Sequence, residues 1–287
     1  MMTMILKNCK EFAARWKEEI RSRVEKLGGT PTLAIVQVGN VEASNRYIKN
    51  KIKDCNEVGI SAHHYVYDND ISTEDLVWEV IDLQKHYNGI IVQMPLPPQI
   101  DVNKIILAID PDKDVDGFRE SSLFKPCTPG GIMRYLEYCG FELTGKNVTI
   151  IGRSNSVGKP LAKMMTDADA TVTLCHSKTR GLDCHLRNAD LIVTAVGKAK
   201  FLNCYSIHVP VVDVGINFDE NGKLVGDAFN TEDRDVTPVP GGVGLLTRCM
   251  LLENCVQAAE RSLPCELEER QCDMRCDNFY GGCRKEN

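Results

Sequence analysis

Residues 148–160, VTIIGRSNSVGKP, join an apolar β-branched run to a glycine-containing turn and the start of a helical pattern. A helix that begins directly after a strand directs its free N–H groups toward a bound phosphate, as in dinucleotide-binding turns. The spacing departs from G-x-G-x-x-G, because Ser154 takes the second glycine position and Gly158 comes one residue late after Gly152. We predict a dinucleotide-binding turn here, and the alternative is a tight turn with a structural role only.

The next predicted strand ends in CHSKTR, residues 175–180, which contain no acidic residue. A site for NAD usually carries Asp or Glu about 20 residues after the glycine turn, where the carboxylate binds the ribose 2′-hydroxyl. Here His176, Ser177 and Arg180 occupy that region, and Arg153 lies in the glycine turn. Because cations and hydroxyl donors match a 2′-phosphate, the sequence favours NADP over NAD as the cofactor.

Apolar runs alternate with amphipathic helical patterns along most of the chain, which indicates parallel α/β architecture. Thr128 is the expected N-cap of the helix at 128–140, with Pro129 at its first position. The expected strands are 32–38, 62–67, 89–97, 147–152, 170–175, 189–197 and 209–215. The expected helices are 8–27, 44–60, 73–87, 128–140, one from about 157, a short one before 189, and 245–261.

A chain of 287 residues is long enough for two domains. We expect two α/β domains with a cleft between them, of which the second is a Rossmann-like dinucleotide-binding domain. The last helix is expected to return to the first domain. The first domain is then discontinuous, with residues 1–120 and 245–287, and the second covers residues 121–244.

The composition argues against several classes of protein. An apolar fraction of 43% and a charged fraction of 26% are typical of globular proteins. A net charge of −6 without a basic stripe argues against nucleic acid as a partner, and no apolar run reaches the roughly 18 residues of a membrane helix. The N-terminal segment MMTMILKNCKEF is a poor signal peptide, because charge soon interrupts its short apolar stretch. We therefore expect a cytoplasmic protein.

Thirteen cysteines are an unusual number for this chain. Nine are scattered singly through expected helices and strands, as reduced intracellular thiols are. The other four, Cys265, Cys272, Cys276 and Cys283, have the spacing C-x6-C-x3-C-x6-C with no histidine nearby. This spacing is not a pair of C-x2-C motifs. Exposed thiols or disulfides on a docked tail are therefore the expectation, a zinc or iron–sulfur site is the alternative, and no metal site is predicted.

Residues 44–60, SNRYIKNKIKDCNEVGI, contain three lysines within five positions. On a helix with about 100° per residue, an apolar stripe runs from Ile48 to Cys55 and two of the lysines point to water. Lys51 instead lies at the edge of the stripe, one turn after Tyr47. The periodicity is also consistent with a lysine stem that covers apolar surface while its ammonium group reaches water.

Two further polar residues follow apolar runs in the first domain. Gln93 ends the run GIIVQ just before a proline-rich segment, at the strand end where parallel sheets bind ligands. Asp116 lies in DPDKDVDGF, residues 110–118. The structural alternatives are an amide that caps a neighbouring loop for Gln93 and an Asx turn before Gly117 for Asp116.

Together the motifs resemble the bifunctional methylenetetrahydrofolate dehydrogenase/methenyltetrahydrofolate cyclohydrolase family, in that family's order and over residues 32 to about 260. The motifs that carry the resemblance are YIKNK followed by VGI, GIIVQMPLP, DKDVDGF, PCTPGG, IIGRSNSVGKP, ATVTLCHSKT, ADLIVTAVG, VVDVGIN and TPVPGGVG. The resemblance implies NADP-dependent oxidation of 5,10-methylene-tetrahydrofolate to 5,10-methenyl-tetrahydrofolate, and hydrolysis of that product to 10-formyl-tetrahydrofolate. It also implies a homodimer formed through the nucleotide-binding domain.

The resemblance implies a role for each matching residue. Lys51 is the central catalytic residue and Gln93 its partner, Asp116 binds the pterin edge, and Tyr47 stacks on the aminobenzoyl ring. The implied catalytic residues are thus Lys51, Gln93 and Asp116. The implied substrate-binding residues are the same three with Tyr47, Gly241 and Gly242, the last two in a loop at 239–244 that closes over the site. The implied NADP-binding residues are Gly152, Arg153, Ser154, Val157, Gly158, His176, Ser177, Thr179, Gly197 and Ile216.

The two reactions are consistent with these residue types. Hydride transfer leaves a methenyl cation spread over two nitrogens, so this step needs positioning more than a strong base. The hydrolysis needs a group that activates water and moves a proton, for which Lys51 held by Gln93 is suited. The carboxylate of Asp116 matches the adjacent N–H donors of a pterin.

Two departures and three alternatives accompany the resemblance. Residues 119–125 form a shorter segment than is usual in the family, and Leu245–Leu246 replaces the usual Pro–Met, so the contacts at both places are left open.

One alternative is a member that keeps only the dehydrogenase activity, and another is a non-catalytic folate- or NADP-binding protein. The third is a short-chain dehydrogenase, because Tyr47 and Lys51 form Y-x-x-x-K, although the glycine turn of that class lies near the N-terminus.

Overall fold

The structure is a computed structural model that describes residue 6 and residues 8–262. The four tail cysteines lie outside the described residues. The helices are α1 (Cys9–Val24), α2 (Glu42–Val58), α3 (Thr73–Leu83), α4 (Val102–Ala108), α5 (Cys127–Cys139), α6 (Gly158–Asp167), α7 (Leu182–Arg187) and α8 (Val243–Ser262). The strands are β1 (Thr32–Val38), β2 (Ser61–Tyr67), β3 (Gly89–Val92), β4 (Asn147–Ile151), β5 (Thr171–Cys175), β6 (Leu191–Thr194), β7 (Leu202–Asn203), β8 (Val211–Asp213), β9 (Asn217–Phe218), β10 (Leu224–Val225) and β11 (Ala228–Phe229).

The first sheet is parallel and has the order β2-β1-β3. Its central strand β1 supplies alternate residues to two apolar cores, since successive side chains of a strand point to opposite faces. Leu33 and Ile35 pack in the core that includes α1 and α8. Ala34 and Val36 pack in a second core with α3. Both faces of the sheet are therefore covered, as parallel sheets require.

The second sheet is also parallel and has the order β5-β4-β6-β8. The chain moves outward from β4 to β5 on one side and then returns to place β6 on the other side. This reversal creates a crevice at the carboxyl ends of β4 and β6, which is where doubly wound sheets bind ligands. The two short pairs, β9 with β10 and β7 with β11, lie outside this sheet. The prediction of an α/β fold with parallel sheets is confirmed.

Helix α8 packs against α1, α2 and α5, and it also contacts the first sheet through β1 and β3. Its buried Glu253 joins three helices: the carboxylate accepts hydrogen bonds from Trp16 Nε1 at 3.1 Å and Arg134 Nη1 at 3.0 Å, and it pairs with Arg23. Trp16 and Arg23 belong to α1, and Arg134 belongs to α5. Because all three donors converge on one carboxylate, α8 is fixed between α1 and α5.

The predicted N-cap of α5 was wrong. The helix begins at Cys127 after Pro126, and its first turn is closed by the N–H of Gly130 bonded to the Pro126 carbonyl. Thr128 does not cap the helix, because its hydroxyl lies 2.9 Å from the Thr247 hydroxyl of α8. Thr128 therefore bonds to a side chain of another helix and not to a backbone N–H of its own helix. The helix α4 was not predicted at all, and Asp101 caps it by accepting from Asn103 N and Lys104 N.

Candidate active site

Lys51 is the one lysine of its helix segment that turns inward. Its exposed fraction is 7%, whereas Lys49 and Lys53 are exposed. Ile48 and Cys55 of the same helix are buried in the core, which fixes the rotation of α2 about its axis. The predicted stripe is confirmed in this respect, and it places the Lys51 stem under the protein surface.

The Lys51 ammonium group donates a hydrogen bond to Gln93 Oε1 at 3.2 Å. Gln93 follows the last residue of β3, and its backbone N–H still bonds to the Val36 carbonyl at 2.8 Å. Its side-chain Nε2 donates to the carbonyl of Met94 at 2.8 Å. The amide is thus held at both ends, so Gln93 presents its oxygen to Lys51 in one orientation.

Tyr47 lies one turn before Lys51, whose Nζ is 5.7 Å from the centre of the tyrosine ring. This distance is within the range of a cation–π contact. Burial raises the pKa of Tyr47, so its hydroxyl stays protonated at neutral pH. The ring therefore offers an aromatic face beside an ammonium group.

Asp116 is 9% exposed and lies in the loop between α4 and α5. Burial raises the pKa of its carboxyl above the ordinary range, while the charge of Lys51 and the thiol of Cys127 oppose that rise. The loop is shaped by Asp114, which accepts from the N–H groups of Gly117 at 3.1 Å and Arg119 at 2.7 Å. Gly117 has a φ of 69°, and a Cβ there would lie 2.7 Å from the Pro126 backbone. Only glycine fits this turn.

Two cavities meet at Tyr47. The catalytic cavity has a volume of about 170 Å³, and the outer cavity beside it has a volume of about 560 Å³. Residues of both halves of the chain line the catalytic cavity: Tyr47, Lys51, Gln93, Met94, Asp116, Phe118, Cys127, Thr128, Ser156, Val157 and Thr247. Val157 belongs to the glycine turn, so the polar constellation lies directly beside that turn.

The glycine turn is packed too closely for larger residues. Gly152 has a φ of 121°, and a Cβ there would lie 2.2 Å from the carbonyl oxygen of Ala195. A Cβ at Gly158 would lie 1.9 Å from the carbonyl oxygen of Gly152. Ser154 accepts from the N–H of Val157 at 3.1 Å, which satisfies one donor at the start of α6. The turn therefore brings the helix N-terminus against the carboxyl end of β4.

The polar residues after β5 lie next to this turn, because Ile151 pairs with Cys175 and the Gly152 N–H bonds to the Cys175 carbonyl. Thr179 Oγ1 accepts from the His176 N–H at 2.9 Å. His176 Nδ1 accepts from the backbone N–H of Lys178 at 3.1 Å, which leaves Nε2 as the ring nitrogen that can donate to a ligand. Ser177 and Arg153 are exposed.

Gly197 and Ile216 lie on two loops that are tied to one buried carboxylate, which the sequence analysis missed. Asp227 is fully buried and accepts from the N–H groups of Val196 at 2.7 Å, Gly197 at 3.3 Å and Lys198 at 2.8 Å. It also accepts from Thr194 Oγ1 and from Asn217 Nδ2, the residue after Ile216. The only signal in the sequence is an acidic residue after Gly226 in a short apolar segment, which is weak.

The loop at 238–244 separates the outer cavity from α1. Gly241 has a φ of 101°, and a Cβ there would lie 2.9 Å from Lys10 Cε of α1. A Cβ at Gly242 would lie 2.3 Å from the Pro238 carbonyl oxygen. Leu245 lines the outer cavity and Leu246 is buried in the core. The two leucines therefore face different surroundings, Leu245 the outer cavity and Leu246 the core.

Comparisons with known proteins match this architecture in two parts. Residues 8–116 match the tetrahydrofolate dehydrogenase/cyclohydrolase catalytic domain, and residues 126–263 match the NAD(P)-binding domain of the same family. The chain belongs to the tetrahydrofolate dehydrogenase/cyclohydrolase family. The predicted resemblance is thereby confirmed, and the short-chain dehydrogenase alternative is excluded.

Individual members of the family are similar over most of their length. The bifunctional protein FolD of Burkholderia ambifaria is 46% identical over 252 residues, which are 82% of this chain and 88% of that protein. A solved structure of the bifunctional enzyme FolD from Campylobacter jejuni is 40% identical, with a TM-score of 0.85, and covers 92% of this chain and 100% of that chain. The Trypanosoma brucei dehydrogenase-cyclohydrolase, solved with NADP and an inhibitor, is 30% identical, with a TM-score of 0.83. The match covers 90% of this chain and 97% of that chain.

Within the part of the chain that the structure describes, no group of three or more His, Cys, Asp or Glu residues could hold a metal ion. Every helix within residues 8–262 is too short or too polar to span a bilayer. The nine cysteines of this part are free thiols, and all but Cys184 are buried.

Proposed function

We propose that the chain oxidises 5,10-methylene-tetrahydrofolate with NADP and hydrolyses the methenyl product to 10-formyl-tetrahydrofolate. The observation that carries this proposal is the hydrogen bond between Lys51 and Gln93 in a cavity that also contains Tyr47 and Asp116. Membership of the family adds the substrate class. The presence of Lys51 together with Gln93 supports retention of both activities over a dehydrogenase alone or a silent binding protein.

In the first reaction the chain acts mainly by positioning. NADP, when bound, accepts the hydride from the methylene bridge. Asp116 holds the pterin edge by accepting from two neighbouring N–H groups, and Tyr47 stacks on the aminobenzoyl ring. Burial of Asp116 excludes water from this contact, which strengthens it. The substrate is thereby oriented as the family's chemistry requires.

In the second reaction Lys51 moves a proton. Water adds to the methenyl carbon and one C–N bond breaks. Of the two protons of the water, one passes to the departing nitrogen and the other is released to solvent, because the cationic methenyl group becomes a neutral formyl amide. Lys51 carries a proton in this step: its neutral amine takes one from the water, the ammonium group so formed gives it to the departing nitrogen, and Gln93 orients the Lys51 nitrogen at the cavity. Gln93 is a positioning partner because its amide is held by the Met94 carbonyl.

The donor set beside the glycine turn supports NADP as the cofactor. The close approach of β4, β6 and α6 at Gly152 and Gly158 forms the pyrophosphate turn. Arg153, His176 and Ser177 are proposed to hold the 2′-phosphate, with no acidic residue in the segment 176–180 to repel it. The other proposed contacts are Ser154, Val157, Thr179, Gly197 and Ile216.

Three organisational features are proposed with the activity. The packing of α8 on α1, α2 and β1 supports the return of this helix to the predicted first domain (residues 1–120 and 245–287), and its packing on α5 joins that domain to the predicted second one (residues 121–244). By likeness to the family, the chain forms a homodimer through the second domain. A cytoplasmic location fits a protein with many reduced thiols.

The test is an absorbance assay of the purified protein with 5,10-methylene-tetrahydrofolate and either NADP or NAD. We expect reduction of NADP in preference to NAD, followed by decay of the methenyl product faster than its spontaneous hydrolysis. Absence of turnover with both cofactors would contradict the dehydrogenase assignment. Normal reduction of NADP together with a methenyl product that decays only at the spontaneous rate would show that the protein is a dehydrogenase without cyclohydrolase activity.

A further inference from the structure

The outer cavity has an arginine in its wall that the proposed reaction does not use. Arg248 lies on α8 one turn after Gly244, and it borders the outer cavity together with Tyr47 and Asn50. Its side chain is only 16% exposed. A guanidinium group so placed beside a cavity is available to an anionic ligand, provided that its direction is fixed.

Asp54 of α2 is the ion-pair partner of Arg248. Arg248 Nε lies 3.1 Å from Asp54 Oδ2, and the other carboxylate oxygen of Asp54 is 2.7 Å from Lys17 Nζ. Among the described residues Asp54 is the only ion-pair partner of Arg248, and the pair uses Nε. Lys17 of α1 pairs with both Asp54 and Glu57, the latter also at 2.7 Å, so two cations and two carboxylates balance in this cluster. The pair with Asp54 engages Nε, and the two terminal nitrogens of the guanidinium are the donors that a ligand in the outer cavity would meet.

The rim of the outer cavity carries a second arginine. Arg46 lies on α2 next to Tyr47 and is exposed, with Glu42 as the acidic residue of the same rim. Most of the remaining wall is apolar and comes from the segment 213–216 and the loop at 238–244. The cavity thus combines an apolar wall that suits an aromatic ring with two arginines on its border.

Tetrahydrofolate derivatives have the matching shape and charge. A pterin is joined through an aminobenzoyl ring to glutamate, which carries its carboxylates at the far end of the molecule. Tyr47 borders both cavities. A substrate with its pterin against Asp116 and its ring on Tyr47 therefore directs the glutamate into the outer cavity, where a guanidinium can bind a carboxylate through two parallel hydrogen bonds.

We propose that Arg248 binds a carboxylate of the substrate's glutamate tail, that Asp54 is the positioning residue for Arg248, and that Arg46 contacts further γ-linked glutamates at the rim. This inference rests on the proposed function, since it assigns the tail of that substrate. A phosphate of the cofactor is the other anion within the same reaction. The residues proposed for the NADP phosphates lie at the ends of β4 and β5 and do not border the outer cavity, and Ile216, the proposed cofactor contact that does border it, is apolar. We therefore assign Arg248 to the folate.

The experiment compares three forms of the methylene substrate: one without glutamate, one with a single glutamate and one with five. Initial rates of NADP reduction are measured for wild type, Arg248→Ala, Arg248→Lys, Arg46→Ala and Lys49→Ala. Lys49 is an exposed lysine of the same helix as Arg46 and serves as the matched control. The KM for NADP is measured for each variant.

We expect Arg248→Ala to raise the KM for both glutamylated substrates about tenfold with little change in kcat, as loss of a charge-assisted hydrogen bond predicts. The KM of the substrate without glutamate and the KM for NADP should stay unchanged. Arg248→Lys should recover only part of the loss, because an ammonium group lacks the planar two-point geometry. Arg46→Ala should raise KM for the substrate with five glutamates alone.

Three results would overturn the proposal. An equal rise in KM for the substrate without glutamate would make Arg248 a support of the ring site, and a rise in KM for NADP would assign it to the cofactor. If Arg248→Ala changes none of these KM values, Arg248 binds neither the substrate nor the cofactor. If Arg248→Ala fails to fold, Arg248→Gln with Asp54→Asn removes both charges together and must give the same selective rise. Failure of the proposed function is distinct, because wild type would then reduce no cofactor with any of the three substrates.

Discussion

Lys51 Nζ lies 3.2 Å from Gln93 Oε1, and this hydrogen bond joins helix α2 to the carboxyl end of strand β3. The amide is itself held by the Met94 carbonyl at 2.8 Å, so the lysine is oriented by a group that cannot rotate freely. A lysine that is free to move would sample many positions of its ammonium group. The pair therefore places a proton donor at one point in the catalytic cavity.

The Gln93→Ala substitution removes the acceptor that orients Lys51. We expect hydrolysis of methenyl-tetrahydrofolate to fall at least tenfold, because removal of a hydrogen bond to a charged group costs about 1.5–3 kcal/mol. NADP reduction should fall less, since that step depends on substrate position. Separate assays with the methylene and methenyl substrates measure the two effects, and equal losses in both would contradict the role of Gln93 as a partner of Lys51.

The Asp116→Asn substitution should make the protein more stable and less active. Burial raises the pKa of Asp116, so the folded state binds its proton more tightly than the unfolded state does. Stability is therefore lost as pH rises from the unfolded pKa of about 3.9 through the folded pKa, and the asparagine variant avoids that cost at neutral pH.

Thermal unfolding from pH 4 to pH 8 tests this sign. The Tm advantage of Asp116→Asn over wild type should grow with pH, by about 2–4 °C for each kcal/mol. The same variant should raise the KM for folate about tenfold or more, because a carboxylate contact to two N–H groups is lost. A variant that is less stable than wild type at pH 8 would show that Asp116 supports the fold.

Glu253 should behave in the opposite way. The Trp16 indole N–H and Arg23 outweigh its burial and lower the pKa of its carboxyl. The stability it contributes is thus present above the unfolded pKa of about 4.3 and is lost as pH falls through the lower folded pKa. We expect Glu253→Gln to reduce the free energy of unfolding by on the order of 2 kcal/mol at pH 7, below the 3–5 kcal/mol of a fully buried pair because Arg23 and Arg134 are about one-third exposed.

Urea unfolding at pH 7 and pH 3.5 checks this expectation, with Glu18→Gln as the control because Glu18 forms an exposed pair with Arg21. The difference between Glu253→Gln and wild type should shrink at pH 3.5. If Glu253→Gln differs from wild type by the same free energy of unfolding at both pH values, the effect comes from changed packing of the side chain and not from loss of its charge.

The Asp227→Asn substitution tests the anchor of the cofactor loops. Asp227 accepts hydrogen bonds from the backbone N–H groups of the loop at 196–198 through both carboxylate oxygens. An asparagine replaces one of these oxygens with an NH₂ group, which is itself a donor, so the loop loses hydrogen bonds worth about 1–3 kcal/mol in total. We expect the KM for NADP to rise about tenfold with the KM for folate unchanged. Asp219→Asn is the control, since Asp219 caps an exposed turn of the same half of the chain. A rise in both KM values would indicate a general loss of structure.

The elements with strong periodicity were predictable from sequence alone. β1 and the two central strands of the second sheet are predominantly apolar and β-branched. The phase of α2 placed Lys51 inward because Ile48 and Cys55 define its buried face. The glycine turn was predictable because strand, turn and helix follow one another within a few residues. These features depend on neighbours in the chain.

The features that were missed depend on residues far apart in the chain. Asp54 meets Arg248 across 194 positions of sequence, and Asp227 collects donors from segments before and after β8. Thr128 bonds to Thr247 instead of capping its own helix. A single sequence carries no local signal for such partners, because tertiary packing alone decides which donor reaches which acceptor.

The most direct test of the account is hydrolysis of methenyl-tetrahydrofolate, supplied without NADP, by Lys51→Met and by the matched variant Lys49→Met. Both substitutions remove one ammonium group from the same helix, one inside the catalytic cavity and one at the surface. We expect Lys51→Met to reduce the rate to that of the spontaneous reaction while Lys49→Met retains the wild-type rate. A Lys51→Met protein that is folded and hydrolyses the substrate at the wild-type rate would contradict the assignment of Lys51 as the residue that moves the proton.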